Sequence, residues 1–376
     1  MKVVLIGALP ESIINFRGNL IKDIHAQGHD ITVMAAPTSN LLIAQIEALG
    51  CQYVPLPIKR NGLNPFSDIN TFFTLIKFFI KFKPDIILAY TIKPIIWGGI
   101  AARFFSKGHF FALITGLGFA FQKGDLKRNI INLLATNLYK VALKKAKGVI
   151  FQNPDNQNTF INLGIAKKEL SHRVNGSGVD INYFKKTPLP NHDFPVFLTI
   201  ARLLGDKGIK EFASAAQLVK EKYPGACFQI LGPEDPSPDG IPLSKVMEWH
   251  HNQIIDYLGS TNDVRQFIEQ CDIFVLASYH EGMPRTVLEA MSTGRPIITT
   301  NVPGCKETTE DGINGFLVEK KDVKALYEKM LWFIENKSQW KKMSENSHLR
   351  VLENFTVEKV NRELLDILQL TRVNND

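Results

Sequence analysis

The sequence predicts an α/β protein made of two doubly wound parallel sheets. Short apolar runs alternate with stretches of helical periodicity along almost the whole 376-residue chain. Strands that alternate with helices form parallel sheets covered on both faces. The alternation stops once and then restarts: residues 183–195 carry three prolines and no period, and a new apolar run opens at Val196. That segment is the expected linker, which gives domains over 1–185 and 186–355 and a final helical segment over 356–376.

In the first half, Lys2–Gly7 reads as a strand. A helix near Ile13–Gln27 follows, capped by Gly28, and then the strand Asp30–Ala35. The pattern continues with helix Asn40–Leu49, strand Gln52–Leu56, helix Asp68–Phe82, strand Asp85–Ala89, helix Pro94–Phe105 and strand Phe110–Ile114. Leu126–Lys147 is helical and ends in Lys144, Lys145 and Lys147, which complement a helix C-terminus; Val149–Phe151 is a strand. The second half begins with strand Val196–Ala201, helix Lys207–Lys222 and strands Ala226–Leu231 and Ile254–Leu258. Pro233–Asn252, with four prolines, reads as a surface excursion between those last two strands. Helix Asp263–Gln270, strand Asp272–Ala277, helix Arg285–Ser292 and strand Arg295–Thr300 come next, and helices at Val323–Glu335, Gln339–Glu353 and Val357–Leu370 close the chain.

Composition narrows the function classes. The chain is 45% hydrophobic and 22% charged, an ordinary globular profile. No run approaches the ~18 apolar residues of a membrane span. The Val3–Leu9 run is too short for a signal sequence. Cys51, Cys227, Cys271 and Cys305 are scattered without a Cys-x-x-Cys or a histidine cluster, which points to packing residues in a reducing cytosol and not to zinc. Charge is uneven. Residues 1–185 hold 22 Lys+Arg against 10 Asp+Glu, a net of +12; the remainder holds 44 − 22 = 22 against 37 − 10 = 27, a net of −5. A basic first half suits an anionic membrane or another polyanion, and the acidic second half speaks against a nucleic-acid-binding protein.

Chemistry concentrates in two stretches of the second half. In Ser278–Gly315, Glu281 lies in the loop after a buried strand, and Glu289 lies eight positions on, in the following helix. A carboxylate accepts two hydrogen bonds from a vicinal diol, so each suits a ribose or a hexose. The helix N-terminus that Pro284 opens suits a phosphate. In Ala201–Gly208, Arg202 and Lys207 sit where a strand gives way to a helix, and both side chains suit a diphosphate. There is no Asp-x-Asp metal-binding motif and no second acid placed for the paired carboxylates of a retaining glycosidase.

The E-G-x-P-x4-E pattern of Glu281–Glu289 resembles the E-x7-E signature of retaining nucleotide-sugar glycosyltransferases, family 4 of the GT-B fold. Gly294-Arg-Pro-Ile-Ile298, Pro303-Gly304, Asp311-Gly-Ile-Asn-Gly315, the R-x4-K of Arg202 and Lys207, and the turn Asn175–Asp180 look like the same family. The resemblance covers nearly all of the second half by motif and the first half by layout. It implies two Rossmann-like domains facing a central cleft, with the last helix crossing back to the first domain. It also implies retaining, metal-independent transfer without a cofactor, in which Arg202 and Lys207 hold the donor diphosphate, Glu281 the donor hexose and Glu289 the ribose. Gly282, Met283, Pro284, Leu258, Gly259 and Gly7 are further candidate donor contacts, although the loop from Leu258 to Asp263 also reads as a plain strand-to-helix turn.

The first half should take the acceptor. Arg17 serves either an acceptor phosphate or a surface i,i+4 contact, and Lys93 is a second candidate. Thr115-Gly-Leu-Gly118 is a broken G-x-G-x-x-G, with Phe121 at the third glycine, so it is no dinucleotide fingerprint. Gly116, Leu117 and Gly118 form either a tight turn or an acceptor loop of the kind found in a subgroup acting on lipid-linked sugars. The chain departs from the commoner pattern at Ala8-Leu9, where many members have Gly-Gly, and at Thr91-Ile-Lys93, where many have a histidine. Six phenylalanines over Phe66–Phe82 with Lys77 and Lys81, then Phe104, Phe105, Lys107, Phe110 and Phe111, suit either a core or an interfacial face on anionic lipid.

The expected activity is transfer of a hexose or N-acetylhexosamine (GalNAc or GlcNAc foremost) from a UDP-sugar to a polyprenyl-diphosphate-linked saccharide. This belongs to bacterial O-antigen, capsule or glycan assembly, at the cytoplasmic face of the plasma membrane. The alternatives are a UDP-sugar epimerase of the same fold and a transferase with a soluble or protein acceptor.

Overall fold

The structure, a computed structural model, describes residues 1–59, 65–117, 121 and 126–371. It divides into two compact units, Met1–Ser177 with Lys359–Asp376, and Gly178–Glu358.

The first unit alternates β1 (Lys2–Ile6), α1 (Pro10–Ala26), β2 (Asp30–Ala35), α2 (Asn40–Glu47), β3 (Gln52–Pro55), α3 (Pro65–Phe82), β4 (Ile86–Tyr90), α4 (Ile92–Phe105), β5 (His109–Ile114), α5 (Leu126–Leu143), β6 (Gly148–Phe151), α6 (Pro154–Asn162) and β7 (Ser171–Arg173). The strands pair in parallel in the order β3-β2-β1-β4-β5-β6-β7. Alternate residues of β1 face opposite sides: Val4 and Ile6 join a core with α3, α4 and α5, while Val3 and Leu5 join one with α1 and α2. The end of the chain completes that second layer. In α13 (Val357–Ile367) and beyond, Val360, Leu364, Leu365, Leu368 and Leu370 are buried with Val3 and Leu5, and Asn361 Nδ2 donates to Asp23 Oδ2 at 2.6 Å.

The second unit holds β8 (Val196–Ile200), α7 (Ile209–Lys222), β9 (Cys227–Leu231), α8 (Leu243–His251), β10 (Asp256–Tyr257), α9 (Arg265–Gln270), β11 (Ile273–Leu276), α10 (Arg285–Ser292), β12 (Ile297–Thr300), β13 (Gly315–Val318), α11 (Val323–Glu335) and α12 (Trp340–Asn354). Its parallel sheet runs β10-β9-β8-β11-β12-β13. Strand order reverses between β8 and β11, and ligands of such sheets bind beyond the carboxyl ends of the strands at that switch point.

Four segments differ from the sequence reading. The proline-rich excursion contains α8, whose Val246 is fully buried. The Asp-Gly-Ile-Asn-Gly turn leads into β13, too short at four residues for a period to show. Helix α6 and strand β7 follow β6, where the sequence shows no strong period. The proline-bearing segment 183–195 packs as part of the second unit: Phe184 lies in its core, and buried Arg295 holds the backbone carbonyls of Thr187 (3.4 Å), Pro188 (3.2 Å), Ile268 (2.8 Å) and Glu269 (2.9 Å).

Arg295→Ala would strand those carbonyls in a dry site. It should lower unfolding stability by at least ~3 kcal/mol in urea titration; a loss below ~1 kcal/mol would show that water replaces the guanidinium.

Candidate active site

The site in the second unit is built by backbone contact before any side chain enters. Gly208, at φ +69, ends a 3₁₀ turn over Gly205–Lys207 and caps α7. A Cβ there would lie 2.0 Å from the Ala277 carbonyl oxygen, so only glycine lets the loop after β8 close on the end of β11. The Tyr279 amide then donates to the Asp206 carbonyl at 2.8 Å, and Ser278 Oγ donates to the same oxygen at 3.2 Å. On the far side, the Glu281 amide donates to the Pro303 carbonyl at 3.2 Å. A Cβ on Gly304 would sit 2.6 Å from the Glu281 carbonyl oxygen. Three loops are thereby laced around the E-G-M-P segment.

Lys207 Nζ and Glu281 Oε1 form an ion pair at 2.6 Å, with the side chains only 17% and 16% exposed. Burial opposes the ammonium, but Glu281 and Asp206 outweigh it and hold Lys207 above the ordinary lysine value. Asp206 is pushed up, by burial first and against the pull of Lys207. Arg202 is 42% exposed and pairs through Nη1 with Asp235 Oδ2. The two cations expected from the sequence thus lie on one loop, each against a carboxylate. Helices α7 and α10 start at this end of the sheet with no side-chain cap, and their first-turn N–H groups form electropositive helix ends there.

Glu289 is on the buried face of α10, 5% exposed, and accepts from Arg285 Nε at 2.7 Å. Burial raises its pKa to about 7 in spite of Arg285. Met283 packs partly buried on the core beneath α10, and Pro284 is the N-cap residue. The Leu258 amide donates to the Ile230 carbonyl at 2.9 Å, and Gly259, at φ +76, has open space where a side chain would be.

The candidate residues of the first unit, Gly7 for the donor and Arg17, Lys93 and Gly116–Gly118 for the acceptor, lie after β1, in α1 and after β4 and β5. A Cβ on Gly7 would meet Tyr90 Oη at 2.4 Å, so Gly7 makes room for that hydroxyl, which bonds Ser12 Oγ at 2.9 Å. Arg17 is 2% exposed, its guanidinium carbon 5.3 Å from the Tyr90 ring centre. That excludes the surface i,i+4 contact: the side chain turns inward onto Tyr90. Lys93 Nζ is paired with Asp68 Oδ1 at 2.8 Å. Thr91, which opens the Thr91-Ile-Lys93 stretch, holds φ +67 and ψ 162, a strained conformation for a β-branched residue. Gly116 and Leu117 follow β5, Leu117 buried; Gly118 lies outside the described residues.

Residues 2–153 match the family model "Glycosyl transferase 4-like", and residues 180–350 match "Glycosyl transferases group 1". The chain belongs to this glycosyltransferase family. Over 92% of its length it is 28% identical to N,N'-diacetylbacillosaminyl-diphospho-undecaprenol alpha-1,3-N-acetylgalactosaminyltransferase of Campylobacter jejuni, of which the match covers 93%. It is also 28% identical to UDP-Gal:alpha-D-GlcNAc-diphosphoundecaprenol alpha-1,3-galactosyltransferase of Escherichia coli, over 81% of this chain and 80% of that one. Among solved structures, a glycosyltransferase of Rickettsia africae superposes with a TM-score of 0.80 at 20% identity, covering 100% of this chain and 99% of that one. Anabaena HepE in complex with UDP and glucose superposes with 0.79 at 19%, covering 98% and 99%. These likenesses establish the GT-B architecture expected from the motifs.

The sequence singled out Lys207 and Glu281, which the structure pairs with each other, but missed the partners of Arg202 and Glu289. Asp235 hid in a stretch read as surface loop, and Arg285 in a helix read only for its glutamate.

The raised pKa of Glu289 has a signed consequence. In the unfolded chain it ionises near 4.5, in the folded protein near 7. Its contribution is therefore fully present below pH 4.5 and is lost as pH rises through about 7. Melting curves across that window should show Glu289→Gln losing less stability than the wild type with rising pH. Parallel curves would mean that Glu289 keeps its ordinary carboxylate pKa in the folded protein.

Proposed function

We propose that this glycosyltransferase moves an N-acetylhexosamine or hexose, GalNAc or GlcNAc foremost, from a UDP-sugar to a polyprenyl-diphosphate-linked saccharide, with retention at the anomeric carbon and without a metal. The observation that carries the donor side is the Lys207–Glu281 pair, half-hidden at the switch point between β8 and β11. The activities of the two undecaprenyl-diphosphate-acting relatives support the acceptor class.

In this reading the diphosphate displaces Glu281 from Lys207, and Arg202, Lys207 and the helix N-termini stabilise the negative charge that builds on departing UDP. Glu281, once released, accepts hydrogen bonds from the donor hexose, and Glu289 accepts from the ribose diol. The bond from the anomeric carbon to the phosphate oxygen breaks, and the acceptor oxygen bonds to the same face. The acceptor's proton passes to the leaving phosphate. Arg17, Lys93 and the Gly116–Gly118 loop are assigned to the acceptor, and Gly7 to the donor.

Transfer of labelled sugar from a panel of UDP-sugars to a synthetic polyprenyl-diphosphate saccharide tests the proposal. The expected result is acceptor-dependent product with an axial linkage; turnover of UDP-sugar without acceptor would instead indicate an epimerase. Arg202→Ala and Lys207→Ala should each lower kcat/KM by at least ~10²-fold. Glu281→Ala should act on kcat, and Glu289→Ala on the donor KM. Full activity in either cation variant would remove the diphosphate assignment, and inactivation by EDTA reversed by Mn²⁺ would remove the metal-free one.

Membrane docking of the first unit belongs to the same proposal. No helix among the described residues is long and apolar enough to cross a bilayer. The side-by-side helices α3, α4 and α5 instead expose Ile69, Phe73, Ile80, Phe104, Phe105, Ile130, Leu133 and Leu134 beside exposed Lys77, Lys81, Lys107 and Lys140. Phe79, Phe110 and Phe111 are core, so the phenylalanines divide between the two roles. Each lysine near anionic lipid contributes about 1 kcal/mol, screened by salt, whereas inserted apolar groups are not screened. The protein should sediment with anionic vesicles at low salt and partly at high salt, and Leu133→Ser with Leu134→Ser should abolish the salt-resistant part. A protein left in the supernatant at low salt would point to an acceptor that is not membrane-borne.

A further inference from the structure

Between β9 and α8 the chain makes a strap over the phosphate loop. The Leu203 amide donates to the Pro233 carbonyl at 2.9 Å, and the Ile241 amide returns to the Leu203 carbonyl at 2.8 Å. Within the strap, Asp239 holds the 3₁₀ turn twice: its carbonyl accepts from the Gly205 amide at 2.9 Å and its Oδ2 from the Asp206 amide at 2.7 Å. Asp235 is itself fixed, its Oδ1 accepting from the Ser237 amide at 2.9 Å, and Oδ2 holds Arg202 Nη1. Burial works to raise the Asp235 pKa, but Ser237 and Arg202 outweigh it and leave it low, so this carboxylate is charged wherever the enzyme would act.

We propose that Asp235 is a positioning residue for donor binding: it holds the Arg202 guanidinium ready for the diphosphate. This rests on the reading of Arg202 as a diphosphate contact. The competing effect is repulsion, since a carboxylate beside a phosphate site disfavours the anion. Geometry decides between them. The contact is single-point, through Nη1, and among the described residues Nε and Nη2 of Arg202 have no protein partner. A fork with two donors free can still take a phosphate oxygen. Arg202 is 42% exposed, so solvent screens the repulsion, while the rotamer freedom that Asp235 removes no longer has to be lost on binding.

Calorimetric binding of UDP, UMP and uridine to four variants tests this. Asp235→Ala should weaken UDP about fivefold, the equivalent of one hydrogen bond, and leave uridine within about twofold. Asp235→Asn, which keeps an acceptor oxygen, should recover most of the loss. Arg202→Ala should weaken UDP by about tenfold or more, and Arg202→Ala with Asp235→Ala should be no weaker than Arg202→Ala alone, because the two act as one unit. If Arg202→Ala weakens UDP while Asp235→Ala leaves it unchanged or tightens it, the positioning role is wrong and the diphosphate contact stands. If Arg202→Ala leaves UDP unchanged, both fall. Equal losses for UDP and uridine in Asp235→Ala would mean that the strap merely supports the fold.

Discussion

The candidate site depends on one close backbone approach. Where the loop after β8 meets the end of β11, Gly208 leaves no room for a Cβ against the Ala277 carbonyl. That contact brings Lys207 to Glu281 and sets the Asp206 carbonyl under the Tyr279 amide. A second glycine, Gly304, repeats the device on the other side of the E-G-M-P segment. The glutamate of that segment is thus positioned by its backbone from two sides. A site built this way is rigid before any ligand arrives, as a group that must meet developing charge requires.

Charge in the site is balanced without ligand. Lys207 and Arg202 each face a carboxylate, Glu289 faces Arg285, and Asp206 lies close enough to Lys207 to feel it. Half-buried cations left uncompensated would be costly. The acids make the folded site tolerable, and in the proposed reaction a diphosphate takes over the same cations. The difference between the two pairs is exposure: Lys207–Glu281 is largely enclosed, whereas Arg202 reaches into solvent. Exchange at Lys207 therefore involves desolvated charge, and exchange at Arg202 does not.

Much of this was legible in the sequence because parallel strands are buried on both faces and read as plain apolar runs; β1, β2, β4, β5 and β11 all did. Arg202, Lys207, Glu281 and Glu289 were singled out through the resemblance of their motifs to a glycosyltransferase family, and the structure pairs Lys207 with Glu281. What stayed hidden depended on distant partners. Helix α8 shares its segment with four prolines, and of its nine residues only Val246 is buried, too little for an apolar period to show. Arg17 reads either as an acceptor-phosphate contact or as a surface i,i+4 residue, and nothing local in the sequence places its guanidinium over Tyr90, 73 residues on. The pairing of Asp235 with Arg202 spans 33 positions and has no local signal.

In the proposed enzyme the loops after β8 and β11 and the turn at Gly259 together form the nucleotide-sugar site. Hydrogen–deuterium exchange of the full chain with and without UDP tests it most directly. Ligand-dependent protection should concentrate in residues 202–208, 258–263 and 281–289. Protection confined to the first unit, or none at saturating UDP, would contradict it.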